Sequence, residues 1–260
     1  MSSDRIDSRF DSLKGAGRKA LVCYITAGFP DTRGTLELMS GLEAEGADVI
    51  EVGVPFSDPI ADGPIIQASS QRALAGGMTL DKSLELVTRA RLAVPVVLFT
   101  YLNPLLSAGV DVLERAGNAG VDGVLVSDLP LGADPEREDW LAGSGLAFIR
   151  LVAPTTPSDR MSEIARTGSG FVYLISRLGV TGVQSDLPTQ LPETAARLRA
   201  ATSLPICIGF GVAEPHQARS AAGIADGVVV GSALVRAAGE SVASALRLAR
   251  SLRAALDDAT

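Results

Sequence analysis

Histidine and lysine are scarce in this sequence of 260 residues, and their scarcity excludes several kinds of catalytic site. The one histidine, His216, follows a Glu-Pro pair that can open a helix, so we expect it at the surface in that helix's first turn. The sequence therefore does not support a histidine-based metal site or a Ser-His-Asp triad. The lysines Lys14, Lys19 and Lys82 do not follow predicted strands, where a Schiff base would form. Carboxylates and tyrosines remain as proton-transfer groups.

Long hydrophobic runs, basic patches and paired cysteines are also missing. No apolar run approaches the ~20 residues of a membrane span, and the polar N-terminus does not resemble a secretory signal. Cys23 and Cys207 both fall inside predicted strands, where a free cysteine is usually a small buried hydrophobe, so a cytoplasmic protein without disulfides is expected. A net charge of −7 argues against nucleic-acid binding. An anionic ligand would have to be held by local donors.

Apolar strand-like runs alternate with longer amphipathic helical runs along the chain. About eight βα units, with 47% hydrophobic residues, predict a single (β/α)8 TIM barrel domain over residues 1–260. A leading segment with Ile6, Phe10 and Leu13 at helical spacing predicts an extra N-terminal helix that plugs the barrel. A doubly wound open sheet is the alternative, although no G-x-G-x-x-G loop follows the first strand.

The apolar periodicity also gives bounds for the individual elements. The predicted strands are 20–27, 49–54, 96–101, 123–127, 148–152, 171–175, 206–209 and 227–230. The predicted helices are 35–45, 65–74, 80–92, 110–119, 160–167, 193–201 and 241–256, with a further short helix beginning at Ser232.

The segment from Glu51 to Pro64 is the most informative part of the chain, because it combines a strand that contains a carboxylate with a loop rich in proline, glycine and aspartate. Glu51 and Gly53 share one face of the strand, whereas positions 50, 52 and 54 on the other face are branched aliphatic. The glycine predicts open space beside the acid. Glu51 is either an active-site acid or a buried glutamate paired with an arginine.

Other polar residues near strand ends have competing interpretations. Asp62 is a candidate site residue, but it could instead lie near the cap of a helix that begins at Pro64, and the pattern alone favours the cap. Asp58 is typical of a turn. Asp128 is either a strand-end cap or a site residue. Tyr173 shares a face with apolar residues and without further information is expected in the core.

Glycines follow the last three predicted strands, at 179 and 182, at 209 and 211, and at Gly231 before Ser232. Each glycine alone is a weak signal. Loops after strands seven and eight, together with the start of a short helix, form the usual phosphate site of a (β/α)8 barrel. Backbone N–H groups at a helix start bind an anion without lysine, so these glycines predict a phosphate site.

Taken together, these segments resemble the tryptophan synthase alpha subunit family. The run from Glu51 to Pro64 is similar to the first signature of that family, and the run from Ser176 to Gly182 is similar to its second. The glycines at 209, 211 and 231 match its phosphate-binding turns. The resemblance covers essentially the whole chain, in order and at the spacing of the family.

The resemblance implies cleavage of indole-3-glycerol phosphate to indole and glyceraldehyde 3-phosphate, a retro-aldol reaction. It gives the proton-transfer role to Glu51 and the contact with the indole nitrogen to Asp62. The implied indole pocket consists of Tyr24, Phe99, Leu125, Leu151 and Tyr173. The implied phosphate-binding residues are Gly182, Gly211, Gly231 and Ser232.

The resemblance further implies that this chain holds no metal and no cofactor of its own. It implies a beta subunit that carries pyridoxal phosphate, in an alpha2-beta2 complex, with loops 56–64 and 179–192 closing over the substrate and facing that partner. Two residues depart from the family pattern. Phe29 stands where many members have aspartate, and Gln184 stands where a basic residue is frequent, so these departures concern loop closure and coupling rather than the chemistry.

The residues themselves are compatible with this chemistry. Cleavage requires a proton delivered to indole C3 and another removed from the adjacent hydroxyl, and a carboxylate would stabilise the charged indolenine nitrogen. Desolvation in an apolar barrel favours the neutral form of Glu51, whereas Asp62 is expected to stay ionised on a more solvated loop. Two carboxylates in different environments can thus divide the acid and anion roles.

Three other functions remain open from the sequence. The chain could be a free-standing lyase that releases indole without a beta subunit. It could be a barrel retained as a binding and regulatory partner, although the presence of both Glu51 and Asp62 argues against this. A sugar-phosphate isomerase on the same fold is the third, but it explains the acidic loop opposite an apolar aromatic pocket less simply.

Overall fold

A computed structural model describes residues 3–176, 188–209 and 211–258. In these residues, eight parallel strands close into a barrel in chain order. The strands are β1 (Ala20–Thr26), β2 (Val49–Gly53), β3 (Val96–Thr100), β4 (Gly123–Val126), β5 (Ala147–Val152), β6 (Val172–Ile175), β7 (Ile206–Gly209) and β8 (Gly227–Val230). β1 pairs with β2 on one side and with β8 on the other. The predicted barrel is therefore confirmed, and an open sheet is excluded.

Twelve helices within the described residues surround the barrel or cover one end of it. They are α1 (Ser3–Gly15), α2 (Thr32–Ala44), α3 (Pro64–Ala75), α4 (Leu80–Ala90), α5 (Leu102–Ala108), α6 (Val112–Ala119), α7 (Pro135–Ala142), α8 (Ser158–Arg166), α9 (Leu191–Ala201), α10 (Pro215–Ala222), α11 (Ser232–Glu240) and α12 (Val242–Asp257).

The alternation of side chains along β2 separates two hydrophobic cores. Ile50 and Val52 point outward and join the large core between the strands and the helices. Val49 points inward and joins a second cluster that fills the barrel. Because successive residues of a strand face opposite sides, a single residue of slip would exchange the two cores. The sequence pattern thereby fixes Glu51, between Ile50 and Val52, on the inner side.

Helix α1 covers the end of the barrel at which the strands begin. Its Ile6, Phe10 and Leu13 are buried and belong to the same cluster as the inward side chains of the strands. The Phe10 ring lies 5.6 Å from the Phe171 ring, centroid to centroid. The predicted N-terminal plug is therefore confirmed, and the opposite end of the barrel is left for a site.

A side-chain acceptor before each even-numbered strand binds the backbone of the preceding odd-numbered strand. Asp122, just before β4, accepts a hydrogen bond of 2.9 Å from the Val96 N–H at the start of β3. The other members of the series are Asp48 to Leu21, Ser169 to Phe148 and Asp226 to Ile206. These bonds, which we call strand clamps, tie neighbouring βα units together.

Candidate active site

A cavity of about 290 Å³ opens at the end of the barrel where the strands finish. This is the end at which (β/α)8 barrels place their functional residues. Of the predicted site residues, those on the cavity wall are Tyr24, Glu51, Asp62, Phe99, Tyr173, Gly211, Gly231 and Ser232. The structure thus brings together the two predicted acids, three aromatic side chains and the glycine turns after β7 and β8.

The remaining predicted residues lie elsewhere. Leu125 is fully buried inside the barrel, in register with Phe99 on the neighbouring strand but not on the cavity wall. Leu151 is in register with Tyr173 and packs against the same inner cluster. Both leucines therefore lie beside wall residues. Gly182 and Gln184 lie outside the described residues.

Glu51 points from the middle of β2 into this cavity. It is fully buried, and neither carboxylate oxygen has a hydrogen-bond partner among the residues that the structure describes. For that part of the chain, the alternative of a buried glutamate paired with an arginine is wrong. Because burial penalises the charged form, the pKa of Glu51 is raised from 4.5 to about 8. At neutral pH Glu51 holds a proton that it can donate.

The space that Gly53 was expected to leave beside Glu51 is filled by another side chain. A methyl group on Gly53 would lie 2.0 Å from the Tyr24 hydroxyl, so the tyrosine occupies that position. Tyr173 and Gly209 repeat the arrangement on β6 and β7, where the corresponding distance is 2.1 Å. In both pairs the glycine lies two residues beyond the strand partner of the tyrosine. Both glycines therefore allow a tyrosine to lie across the next strand.

Asp62 lies in the loop between β2 and α3, with 9% of its surface exposed. It does not cap the helix, because α3 begins at Pro64 with Gly63 as its N-cap and without a side-chain cap bond. Its carboxylate instead binds the Tyr101 hydroxyl, which also accepts a 3.0 Å hydrogen bond from the Ala61 N–H.

As expected, Asp62 is more exposed to solvent than the fully buried Glu51, although most of its surface is covered. Burial raises its pKa from 3.8 to about 6, and the hydrogen bond from Tyr101 partly opposes that rise. The carboxylate is still mainly ionised at pH 7. At neutral pH Glu51 is therefore mainly neutral and Asp62 mainly ionised, and this difference holds between their pKa values of about 8 and about 6.

The part of the cavity wall that follows β7 and β8 is built from backbone suited to an anion. Gly231 is the N-cap of α11 and Ser232 is its first residue, so the N–H groups of the first turn have no carbonyl partner within the helix. Gly211, in the turn after β7, has φ of 102°, a conformation that favours glycine. Positive helix-end charge and free N–H groups can hold a phosphate here.

Sequence reasoning missed several polar residues of the wall, namely Glu214, Gln217, Arg236 and Glu240. Arg236 had a usable signal, because it lies one helical turn after Ser232 in a helix whose start was predicted. Glu214 and Gln217 form a capping box at the start of α10, and no sequence signal relates that helix start to the cavity.

Three further polar residues have structural roles. Asp128 accepts a 2.8 Å hydrogen bond from the N–H of Leu102, the first residue of α5, so it is a cap rather than a site residue. His216 is exposed in the first turn of α10, as predicted, and lies 3.3 Å from the Glu214 carboxylate. Asp58 is exposed in the loop before α3.

Cys23 and Cys207 are free and buried, which confirms the expectation for both. In the parts of the chain that the structure describes, no three metal-binding side chains cluster together. Across those same parts, no helix has the length and hydrophobicity needed to cross a membrane.

The chain is similar to known proteins along almost its whole length. The family model described as "Tryptophan synthase alpha chain" matches residues 10–258. Tryptophan synthase alpha chains of Desulfatibacillum aliphaticivorans and Geobacter sp. (strain M21) are 48% and 49% identical to it, each alignment covering 89% of this chain and 88% of the relative.

Solved structures agree with the sequence relatives. Tryptophan synthase subunit alpha from Legionella pneumophila superposes with a TM-score of 0.89 at 35% identity, covering 98% of both chains. A chain of Mycobacterium tuberculosis tryptophan synthase gives 0.90 at 36% identity, covering 97% of this chain and 98% of that one.

Proposed function

The chain belongs to the tryptophan synthase alpha chain family, and from this membership we propose how its residues cleave indole-3-glycerol phosphate into indole and glyceraldehyde 3-phosphate. The enzyme is a lyase of tryptophan biosynthesis. The observation that carries the mechanism is the fully buried carboxyl group of Glu51, which has no partner among the described residues and lies on the wall of a mainly apolar cavity that also holds Asp62.

Glu51 acts as the proton-transfer group. Its raised pKa keeps a proton on the carboxyl group at neutral pH, and that proton goes to C3 of the indole ring. The hydroxyl on the carbon attached to C3 loses a proton as its C–O bond becomes a carbonyl. The electrons of the broken C–C bond return to the ring and restore indole. One proton enters and one leaves, so a single carboxyl group can be restored to its starting state within the cycle.

Asp62 supplies the fixed negative charge. Protonation at C3 places positive charge on the ring nitrogen, and an ionised carboxylate in a water-poor site stabilises that charge strongly. The Tyr101 hydroxyl and the surrounding loop hold the carboxylate in place before the charge appears. Tyr24, Phe99 and Tyr173 provide apolar surface for the ring.

The phosphate group binds at the glycine turns after β7 and β8. Gly211, Gly231 and Ser232 offer backbone N–H groups there, and we assign Gly182 to the same role on the basis of the family motif. Because the indole and phosphate groups of the substrate bind to different parts of one cavity wall, substrate binding fixes the scissile bond between them. Leu125 and Leu151 support the indole side from one strand further round the barrel.

Substitution of Glu51 by Gln tests this mechanism. Glu51→Gln keeps the shape of the side chain and removes its proton, so we expect turnover to fall by ~10²–10⁴-fold, or about 3–5 kcal/mol of barrier. Calorimetric affinity for sn-glycerol 3-phosphate should remain within about twofold, since the phosphate site is untouched. The matched control is Glu85→Gln, at an exposed position on α4. Unchanged turnover in Glu51→Gln would remove Glu51 from the mechanism.

We also propose the setting in which the enzyme works. Residues 1–260 act as one cytoplasmic domain that needs no metal or cofactor of its own. The partner is a tryptophan synthase beta subunit carrying pyridoxal phosphate, in an alpha2-beta2 complex. Indole assays with and without the beta chain test this, because a large stimulation is expected for a synthase subunit. A free-standing lyase would show full activity alone.

A further inference from the structure

The cavity wall is unusually poor in positive charge for a site that binds a phosphate ester. Its carboxylates are Glu51, Asp62, Glu214 and Glu240. Of the described wall residues, Arg236 is the only one with a cationic side chain. The chain as a whole has a net charge of −7, so the surroundings do not supply the missing charge. A dianionic ligand that approaches this cavity therefore depends on local cations.

Arg236 is well placed to meet the phosphate. It follows Ser232 by one turn of α11, so both side chains lie on the same face of the helix. Helical side chains point toward the N-terminus of their helix, which directs the Arg236 side chain toward the Ser232 amide. Both residues line the cavity. The guanidinium group and the free amides of the helix start thus face the same volume.

The Arg236 guanidinium group is also unengaged. Unlike Arg253 and Arg150, which pair with Asp48 and Glu138, it has no hydrogen bond or ion pair with any described residue. This holds although Glu240 lies one turn further along the same helix. An exposed arginine that lines a cavity and lacks a partner keeps its donors available for a ligand.

We propose that Arg236 recognises the doubly charged phosphate of the substrate and thereby selects phosphorylated ligands. This inference rests on the proposed function, because it assigns a residue to the phosphate side of that site. Backbone amides favour an anion through partial charges, whereas a guanidinium group adds a full positive charge and two parallel donors for phosphate oxygens. The proposed role of Arg236 is to bind the phosphate group, so we expect it to act on substrate affinity and to leave the chemical step unchanged.

Four versions of the full chain test the proposal: wild type, Arg236→Gln, Arg236→Lys and Arg166→Gln. The last is the matched control, because Arg166 is an exposed arginine at the end of α8 and its loss changes the net charge equally. We measure kcat and KM with indole-3-glycerol phosphate, calorimetric Kd for sn-glycerol 3-phosphate, and Kd for indole.

For Arg236→Gln we expect KM and the Kd of sn-glycerol 3-phosphate to rise about tenfold, with kcat and the indole Kd within about twofold of wild type. For Arg236→Lys, KM and the Kd of sn-glycerol 3-phosphate should lie between the values for wild type and for Arg236→Gln, since lysine keeps the charge but loses the paired donors. Raising the ionic strength should reduce the difference between wild type and Arg236→Gln in the Kd of sn-glycerol 3-phosphate. Arg166→Gln should match wild type in kcat, in KM and in both Kd values.

Equal affinity of wild type and Arg236→Gln for sn-glycerol 3-phosphate would overturn the assignment, as would a lack of binding to wild type. A parallel loss of indole affinity would also overturn it, because the change would then be structural. A wild-type chain that binds sn-glycerol 3-phosphate but releases no indole would contradict the proposed function alone, and the affinities would still decide the role of Arg236.

Discussion

The contact between Tyr101 and Asp62 controls the charge of the second acid. The Tyr101 hydroxyl donates to the Asp62 carboxylate and so opposes the rise that burial causes in the pKa of Asp62, which stands at about 6. The proposed mechanism requires Asp62 ionised and Glu51 protonated, so kcat/KM should fall below pH about 6 and again above pH about 8.

Tyr101→Phe should therefore shift only the acid side of the pH profile. Without the hydroxyl the pKa of Asp62 rises further, so the acid limb moves upward and kcat/KM at pH 7 falls by roughly 3–10-fold. A profile of kcat/KM from about pH 5 to 9 measures both limbs. The alkaline limb, set by Glu51, is the internal control and should stay in place. An unmoved acid limb would show that Tyr101 does not tune Asp62.

At the residue scale, the sequence predicts features that local periodicity determines and misses features that depend on distant contacts. Strand alternation is enough to place Glu51 on the inner face of β2. The local pattern favoured a helix cap for Asp62 because of a nearby proline, and that interpretation is wrong because its partner Tyr101 lies at the end of the next strand. The space beside Gly53 was misjudged for the same reason, since Tyr24 fills it from the neighbouring strand.

Among the contacts between secondary-structure elements, the strand clamps can each be broken by a single substitution, because one side chain supplies the acceptor. Asp122 is 3% exposed, accepts the Val96 N–H, and forms an ion pair of 2.9 Å with Arg5 of α1. It thus links β3, β4 and the N-terminal helix. Removal of its carboxylate leaves the Val96 N–H without its acceptor and breaks the ion pair with Arg5, whose guanidinium group keeps only its bonds to the backbone carbonyls of residues 92–94.

Asp122→Ala should lower the free energy of unfolding by about 2–4 kcal/mol, because a partly buried pair and a buried backbone bond are lost together. A urea titration followed by circular dichroism measures the change. The control is Asp159→Ala, at an exposed position in the first turn of α8. Its free energy of unfolding should stay within about 0.5 kcal/mol of wild type. Equal midpoints for both variants would show that the strand clamp contributes nothing to stability.

The sequence predicts strand bounds well because buried strands form continuous apolar runs. Each predicted strand lies within one residue of the observed one. At the ends of β1 and β2 the added residues, Ala27 and Val54, still donate backbone bonds to the next strand. Helices were less accurate. Helix α2 begins three residues before the predicted start, because Asp31 caps it. The short helices α5 and α7 were not predicted, because seven or eight residues show too little periodicity.

For the molecule as a whole, we expect the buried carboxyl group of Glu51 to lower stability, and its proposed catalytic role would explain why it is there. Glu51 is fully buried and has no partner in the described parts of the chain, so the folded chain holds its proton with a pKa of about 8, against 4.5 for an exposed glutamate. Below pH 4.5 both states are protonated and the group has no effect. As the pH rises toward 8, the unfolded chain releases this proton while the folded chain keeps it, so the unfolded state is increasingly favoured.

Glu51→Gln should therefore be more stable than wild type, by a margin that grows with pH. One pKa unit corresponds to about 1.4 kcal/mol, so the margin should widen by roughly 2–3 kcal/mol between pH 6 and pH 8. Urea titrations of both chains across this range measure it, and Glu85→Gln should show a constant difference from wild type. Parallel curves for Glu51→Gln and wild type would mean that Glu51 ionises as readily in the barrel as in the unfolded chain. The acid would then carry no proton at neutral pH, and the stability measurement alone would contradict its proposed catalytic role.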